Sequence, residues 1–204
     1  MDEQLFCHTS FEVKNKGTIS VRNCGIIPFL VRVPNYRTPL LYFRFYSEID
    51  IMKTPESILE TARERALAQG LPYAGALLPE EAHALMQQHP GARLVDVRTR
   101  AEWEWVGRVP LPNTIFIEWN SWPGGQPNPD FLSSLKSQVG ATDVPILFLC
   151  RSGGRSHNAA ATATHAGYTQ AINVLQGFEG DRDQNGQRNT VGGWRAAGLP
   201  WIQG

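Results

Sequence analysis

One stretch constrains this chain more than any other: Ile146-Leu147-Phe148-Leu149-Cys150-Arg151-Ser152-Gly153-Gly154-Arg155-Ser156. It begins as a short apolar run, the composition of a strand buried on both faces of a parallel sheet. The run stops at a cysteine. Ala- and Thr-rich sequence from Asn158 to Ala166 then predicts a helix that ends at Gly167. A strand, a tight Gly-Gly loop and a helix place Cys150 at the carboxyl edge of the sheet, where open α/β folds bind ligands. Loop amides and the helix N-terminus then point toward the sulfur and favour negative charge there. Arg151 and Arg155 flank the position, and neighbouring guanidinium groups favour a thiolate. The same donors suit an oxyanion, or a second sulfur attached to Cys150. Gly153 and Gly154 let the backbone turn and an anion approach without Cβ clashes. The competing reading is a buried, inert cysteine at a strand end. Two arginines and a Gly-Gly pair are poor surroundings for it.

The run Cys-Arg-Ser-Gly-Gly-Arg-Ser resembles the active-site loop of the rhodanese family of sulfurtransferases. The match extends upstream to Leu94-Val95-Asp96-Val97-Arg98 with Glu102-Trp103. Downstream it takes in Ala171-Ile172-Asn173-Val174-Leu175-Gln176-Gly177 and the closing Gly193-Trp194 and Gly198-Leu199-Pro200. The resemblance implies an α/β fold, doubly wound around a mainly parallel sheet with helices on both faces. It also implies that Cys150 is catalytic, taking a sulfane sulfur from a donor and passing it, as a persulfide, to a nucleophile. Arg151, Ser152, Gly153, Gly154, Arg155 and Ser156 form the anion-binding cradle in this reading. Asp96 and Arg98 lie on one side of a strand by its period. By resemblance they support the site or tie the fold together, with Glu102 paired to the arginine. The turn from Gln176 to Gly180 leaves the same sheet edge as the Cys150 loop and belongs beside it. There Phe178 is expected to close the pocket and Glu179 to orient an arginine. The sequence departs from the family where Gly-His-Ile-Pro-Gly-Ala reads Gly107-Arg108-Val109-Pro110-Leu111-Pro112. Arg108 either adds positive charge near the site or is simply solvated.

Loop length separates two chemistries. Phosphatases of the Cys-x5-Arg type need an arginine six positions past the cysteine, and Ser156 stands there instead. The arginine comes one position earlier, closing a smaller ring that suits a sulfur atom better than a phosphoryl group. Phosphatase or arsenate-reductase activity is therefore the secondary enzymatic reading. The leading expectation is a two-step transfer from thiosulfate or a similar donor to cyanide or a thiol. A module that carries or senses persulfide for a partner protein is the non-enzymatic alternative. The partners expected are small sulfur donors and acceptors, with a thiol protein as a further acceptor. No metal or organic cofactor is called for.

Lys plus Arg equals Asp plus Glu at 19 each, so no global field attracts nucleic acid or an acidic membrane. Cys7, Cys24 and Cys150 are odd in number and widely spaced, with no zinc pattern. They fit a reducing, cytoplasmic setting. No transmembrane or secretory signal is visible. Residues 1–51 mix short β-prone pieces (18–21, 26–33 and 40–46) with charges and prolines. They read as an appended or upstream-translated extension, not a functional domain, ahead of a rhodanese-like domain at 52–204, or as a small β hairpin packed on it.

The second segment opens with Thr54 as N-cap, a helix from Pro55 to Gln69 and a stop at Gly70. Further expectations are a helix from Pro79 to about His89, strands at 94–97, 114–117 and 171–175, and a helix from Pro129 capped by Asn128. Trp103, Trp105 and Val106 read as packing residues. Trp119 and Trp122 sit in a long loop from Glu118 to Pro127, where they either cover the core or line a pocket. His157 reads as a solvated or capping side chain. Asp181-Arg182-Asp183-Gln184-Asn185-Gly186 resembles the start of a calcium loop but lacks the closing Glu, so a turn is the better account.

Overall fold

The run 146–149 becomes the central strand of a parallel sheet. The structure, a computed structural model, describes residues 10–14, 18–22, 30–32 and 54–203. The chain divides into two compact units, Met1–Met52 and Lys53–Gly204. In the first, β1 (Ser10–Lys14), β2 (Thr18–Arg22) and β3 (Leu30–Arg32) form an antiparallel sheet in the order β1-β2-β3. Two of the expected β-prone pieces supply β2 and β3, and β1 was not anticipated. The piece at 40–46 lies outside the described residues, as do Cys7, Cys24 and His8.

The second unit runs α1 (Pro55–Gln69), β4 (Gly75–Leu77), α2 (Pro79–Gln88), β5 (Arg93–Asp96), α3 (Arg100–Trp105) and β6 (Thr114–Phe116). It continues through α4 (Phe131–Val139), β7 (Ile146–Leu149), α5 (Gly154–His165) and β8 (Ala171–Val174). The five strands pair in the order β4-β8-β7-β5-β6, all parallel. Parallel strands need crossovers, and the intervening helices cover both faces. Along β7 the side chains alternate between faces. Leu147 and Leu149 join α1 and α2 through Ile58, Ala62, Leu85 and Met86. Ile146, Phe148 and Cys150 join α4 and α5 through Phe131, Leu135, Ala159 and Ala163. The doubly wound α/β expectation holds.

Local chemistry explains the boundaries. Thr54 caps α1, its Oγ1 accepting from the Ser57 N–H at 3.3 Å, and Gly70 ends it at φ +60°. The α4 helix starts two residues later than expected. Asn128 does not cap it directly but accepts the Asp130 N–H at 3.0 Å in the turn before it. The α5 helix starts earlier than expected, at Gly154, so Arg155, Ser156 and His157 are helical. Its buried positions are Ser156, Ala159, Ala160 and Ala163, an i, i+3, i+4, i+7 stripe. Small side chains there let the helix lie close against the sheet.

Ala160 is fully buried in that interface. Ala160→Leu is expected to cost about 1–3 kcal/mol through overpacking. Urea unfolding checks this through a lower midpoint at unchanged slope.

Candidate active site

Cys150 follows the last residue of β7, and the chain reverses into α5 within three residues. Gly153 sits at φ +94°, a conformation that glycine tolerates best. This turn brings the Gly153 N–H onto Cys150 Sγ at 3.2 Å. One helical turn on, the buried Ser156 Oγ stands 3.2 Å from Sγ and 3.1 Å from the Gly153 carbonyl oxygen. Its single proton serves one of them at a time, and a negative sulfur is the stronger acceptor. The sulfur thus lies at the N-terminal end of a 12-residue helix, where the dipole favours negative charge. Cys150 is only 1% exposed. The rim of the loop, Arg151 and Gly154, is exposed.

The arginines divide the work differently from the expectation. Arg98 does not pair with Glu102. It is fully buried and grips Asp96 through Nε at 3.0 Å and Nη2 at 2.6 Å, and its Nη2 also donates to the Gly107 carbonyl at 2.8 Å. Glu102 instead takes both terminal nitrogens of Arg155, at 2.6 and 2.8 Å. Arg155 therefore presents its fork to a carboxylate. Glu102 is aimed by a capping box: its Oε2 accepts the Thr99 N–H at 2.9 Å while Thr99 Oγ1 accepts the Glu102 N–H at 3.3 Å. The sequence Thr99-Arg100-Ala101-Glu102 carries that signal, which our sequence reading passed over. Burial alone would raise the Glu102 pKa, but bonds from Arg155 and Thr99 hold it at about 2. Burial likewise opposes the charge on Arg155, yet Glu102 and the charges of Cys150 and Asp96 push its pKa up.

The turn after β8 does lie beside the Cys150 loop. The Phe178 N–H donates to the Cys150 carbonyl at 2.7 Å, and the Glu179 N–H donates to that of Arg151 at 2.9 Å. Gly177, at φ +62°, makes the approach possible, since a Cβ there would overlap the Cys150 carbonyl oxygen and sit 2.6 Å from the Arg151 carbonyl carbon. Two roles assigned to this turn need correction. Phe178 is fully buried, with the Arg98 guanidinium 4.0 Å from its ring centre, so it floors the Asp96–Arg98 pair rather than closing a pocket. The Glu179 carboxylate pairs with no arginine among the described residues.

On the other side, Asn173 Nδ2 reaches the Gly153 carbonyl and the Tyr73 hydroxyl, both at 3.4 Å. Tyr73 OH lies 2.8 Å from His157 Nδ1. His157 thus has a phenol partner. Sequence reasoning missed Tyr73 and Asn173. The signal for Asn173 was a lone polar residue in an otherwise apolar strand, which needs a partner once buried.

A cleft of about 830 Å³ opens beside the loop. Its walls come from the α3 segment (Glu102, Trp105, Val106), the 120–125 loop, the Cys150 loop (Arg151, Arg155) and the 179–189 segment (Glu179, Arg182, Arg188). Trp105, expected to pack, is 69% exposed and lines this cleft, as does Trp122 at 65%. Trp119 packs on Phe131 in the core, ring centres 4.9 Å apart. Arg108 is exposed, pairs through its backbone with Ile202 and is not among the cleft-lining residues. In the 181–186 stretch, Asp183 accepts the N–H groups of Asn185 and Gln187 at 2.8 and 2.9 Å, closing a turn. Among the described residues, no three His, Cys, Asp or Glu side chains converge as metal ligands, and no helix is long and apolar enough to cross a membrane.

Fold and site together define a class: parallel α/β domains that present a loop-cradled cysteine at the carboxyl end of the central strand. Residues 78–183 match the family model of the Rhodanese-like domain, and the chain belongs to that family. It is similar to the crystal structure of Rv0390 from M. tuberculosis, at 46% identity and a TM-score of 0.60, over 65% of this chain and 99% of that one. An uncharacterised protein of Rickettsia conorii is 38% identical over 124 residues, 59% of this chain and 91% of the relative. Thiosulfate sulfurtransferase 16, chloroplastic, of Arabidopsis thaliana is 34% identical over 88 residues, 43% of this chain and 72% of that protein.

Two outcomes follow from the geometry. Glu102 ionises far below the 4.5 of an ordinary glutamate, so its contribution to stability is complete above about 4.5 and declines as pH falls toward about 2, because the unfolded chain binds the proton first. Glu102→Gln should lower stability by about 1–3 kcal/mol at neutral pH. Its deficit relative to wild type should shrink across that acid window in urea titrations. Gly177→Ala should cost about 1–3 kcal/mol and displace the Cys150 loop, seen as changed amide shifts at Gly153 and Ser156 by NMR.

Proposed function

We propose that this chain is a sulfurtransferase that carries a sulfane sulfur on Cys150. The observation that supports it most is the convergence of the Gly153 N–H and the Ser156 hydroxyl on Sγ at 3.2 Å. Donors placed in advance on a sulfur stabilise the thiolate that attacks and the thiolate that is regenerated. In the first step Cys150 Sγ attacks the outer sulfur of thiosulfate or a related donor. The new S–S bond forms as the old one breaks, and the electron pair leaves with sulfite. In the second step an acceptor attacks the outer sulfur, and the electron pair of the Sγ–S bond returns to Cys150. Arg151, exposed on the rim, is the cation available to donor oxyanions, whereas Arg155 on the cleft wall is committed to Glu102. Membership of the Rhodanese-like family and similarity to a named thiosulfate sulfurtransferase support the same reading.

A second reading is favoured by the 1% exposure of Cys150: a carrier that loads sulfur and holds it for a partner protein. Shielding slows attack by small acceptors. The phosphatase reading weakens further, because the nearest arginine after the cysteine loop is committed to Glu102.

Incubation with thiosulfate should add the mass of one sulfur to the intact chain, and Cys150→Ala should add none. Fast thiocyanate release on adding cyanide identifies a catalyst, while a stable adduct with slow release identifies a carrier. Wild-type turnover by Cys150→Ala contradicts the assignment.

A further inference from the structure

We infer that Asn173 is a positioning residue: its amide fills the Gly153 carbonyl and so directs the Ser156 proton to Cys150 Sγ. The inference rests on the sulfur-transfer reading, in which the thiolate is the working form of Cys150. Burial raises the question first. Asn173 is 3% exposed in a strand whose other members are Ala171, Ile172 and Val174. Its Oδ1 is buried and makes no hydrogen bond among the described residues. An unpaired buried amide oxygen works against stability, and an apolar side chain would suit the strand better. The amide nitrogen supplies the reason for the residue.

Protons and lone pairs can be counted around the Gly153 carbonyl. A carbonyl oxygen has two lone pairs, and a hydroxyl has one proton. The Gly153 oxygen accepts the His157 N–H at 3.0 Å, at the start of α5, and Asn173 Nδ2 at 3.4 Å. Both lone pairs are then taken. Ser156 Oγ, 3.1 Å from that oxygen and 3.2 Å from Sγ, is left with the sulfur as its acceptor. Without the Asn173 amide one lone pair falls free, and the hydroxyl divides its proton between the carbonyl and the sulfur.

The amide cannot be turned the other way round. Its oxygen would then face the Gly153 carbonyl oxygen, two acceptors with no proton between them. The buried Tyr73 holds it from the far side. The Tyr73 oxygen accepts the second amide proton at 3.4 Å, which leaves its own proton for His157 Nδ1 at 2.8 Å. Burial pushes the Tyr73 phenol up, against the smaller pull of the Asn173 bond, so that proton stays in place. Each polar proton of the two side chains has an acceptor.

The test follows iodoacetamide labelling of Cys150 against pH in the full chain, located by peptide mass, in wild type, Asn173→Leu, Ser156→Ala and the double variant. Leu copies the shape of Asn without its donors, and the substitution leaves Arg151, Arg155, Glu102 and the Asp96–Arg98 pair in place. On the acid side of the profile Asn173→Leu should label about tenfold more slowly, the scale of one hydrogen bond lost from a charged atom. It should regain the wild-type rate at alkaline pH. Tyr73→Phe, which keeps the ring but removes the acceptor that aims the amide, should shift the profile the same way by a smaller amount. In the Ser156→Ala background Asn173→Leu should change the rate within about twofold, because it acts through that hydroxyl. An unshifted profile, a rate lowered equally at every pH, or an undiminished effect in the Ser156→Ala background overturns this inference alone. A wild-type chain that takes no sulfur from thiosulfate overturns the sulfur-transfer reading and the role of Asn173 within it.

Discussion

The structure around the candidate site depends on how the chain gets from β7 into α5. A buried parallel strand delivers Cys150 at the sheet edge, and the chain must reverse at once because the sheet has ended and the helix must lie back across it. Gly153, at φ +94°, makes that reversal, and its N–H is thereby left pointing at the sulfur. Ser156 arrives one turn later on the buried side of α5 and closes the second contact. Small residues at 159, 160 and 163 let α5 pack closely enough for this to happen. Stability and site geometry share the same backbone atoms.

The loop is held from three directions. Phe178 and Glu179 bond to the carbonyls of Cys150 and Arg151, Asn173 reaches the Gly153 carbonyl, and Glu102 fixes Arg155. Each bond satisfies a polar group that burial would otherwise leave costly. The buried Asp96–Arg98 pair serves a different end. It ties β5 to the Gly107 carbonyl and lies on Phe178, which keeps the floor of the site in place. The Asp96–Arg98 pair is fully buried, whereas the Arg155–Glu102 pair lines the cleft together with Arg151, Arg182 and Arg188.

Much of this was legible in the sequence where local rules act alone. The run 146–149, the Gly-Gly turn, the Thr54 cap and the Gly70 stop each declare themselves through burial pattern or permitted φ. The β4 strand did not, being three residues long with Gly75 and Ala76, which carry little strand signal. Gly75 is there because a Cβ would lie 2.7 Å from that of Ala62 on α1, a contact only the folded chain contains. Ion-pair partners failed for a similar reason. Glu102 is 4 residues from Arg98 and 53 from Arg155, and only tertiary packing decides between them. The cleft arginines, Arg182 and Arg188, sit in a stretch whose spacing drew attention to calcium instead.

The account turns on whether the Gly153 N–H and the Ser156 hydroxyl hold charge on Cys150 Sγ. The lifetime of the persulfide under cyanide once excess thiosulfate is removed, followed by intact mass in wild type and in Ser156→Ala, measures this directly. The account predicts discharge about tenfold slower in the variant, the scale of one hydrogen bond lost to the departing Sγ charge, while the fold still melts cooperatively. Equal lifetimes in the two proteins would contradict it.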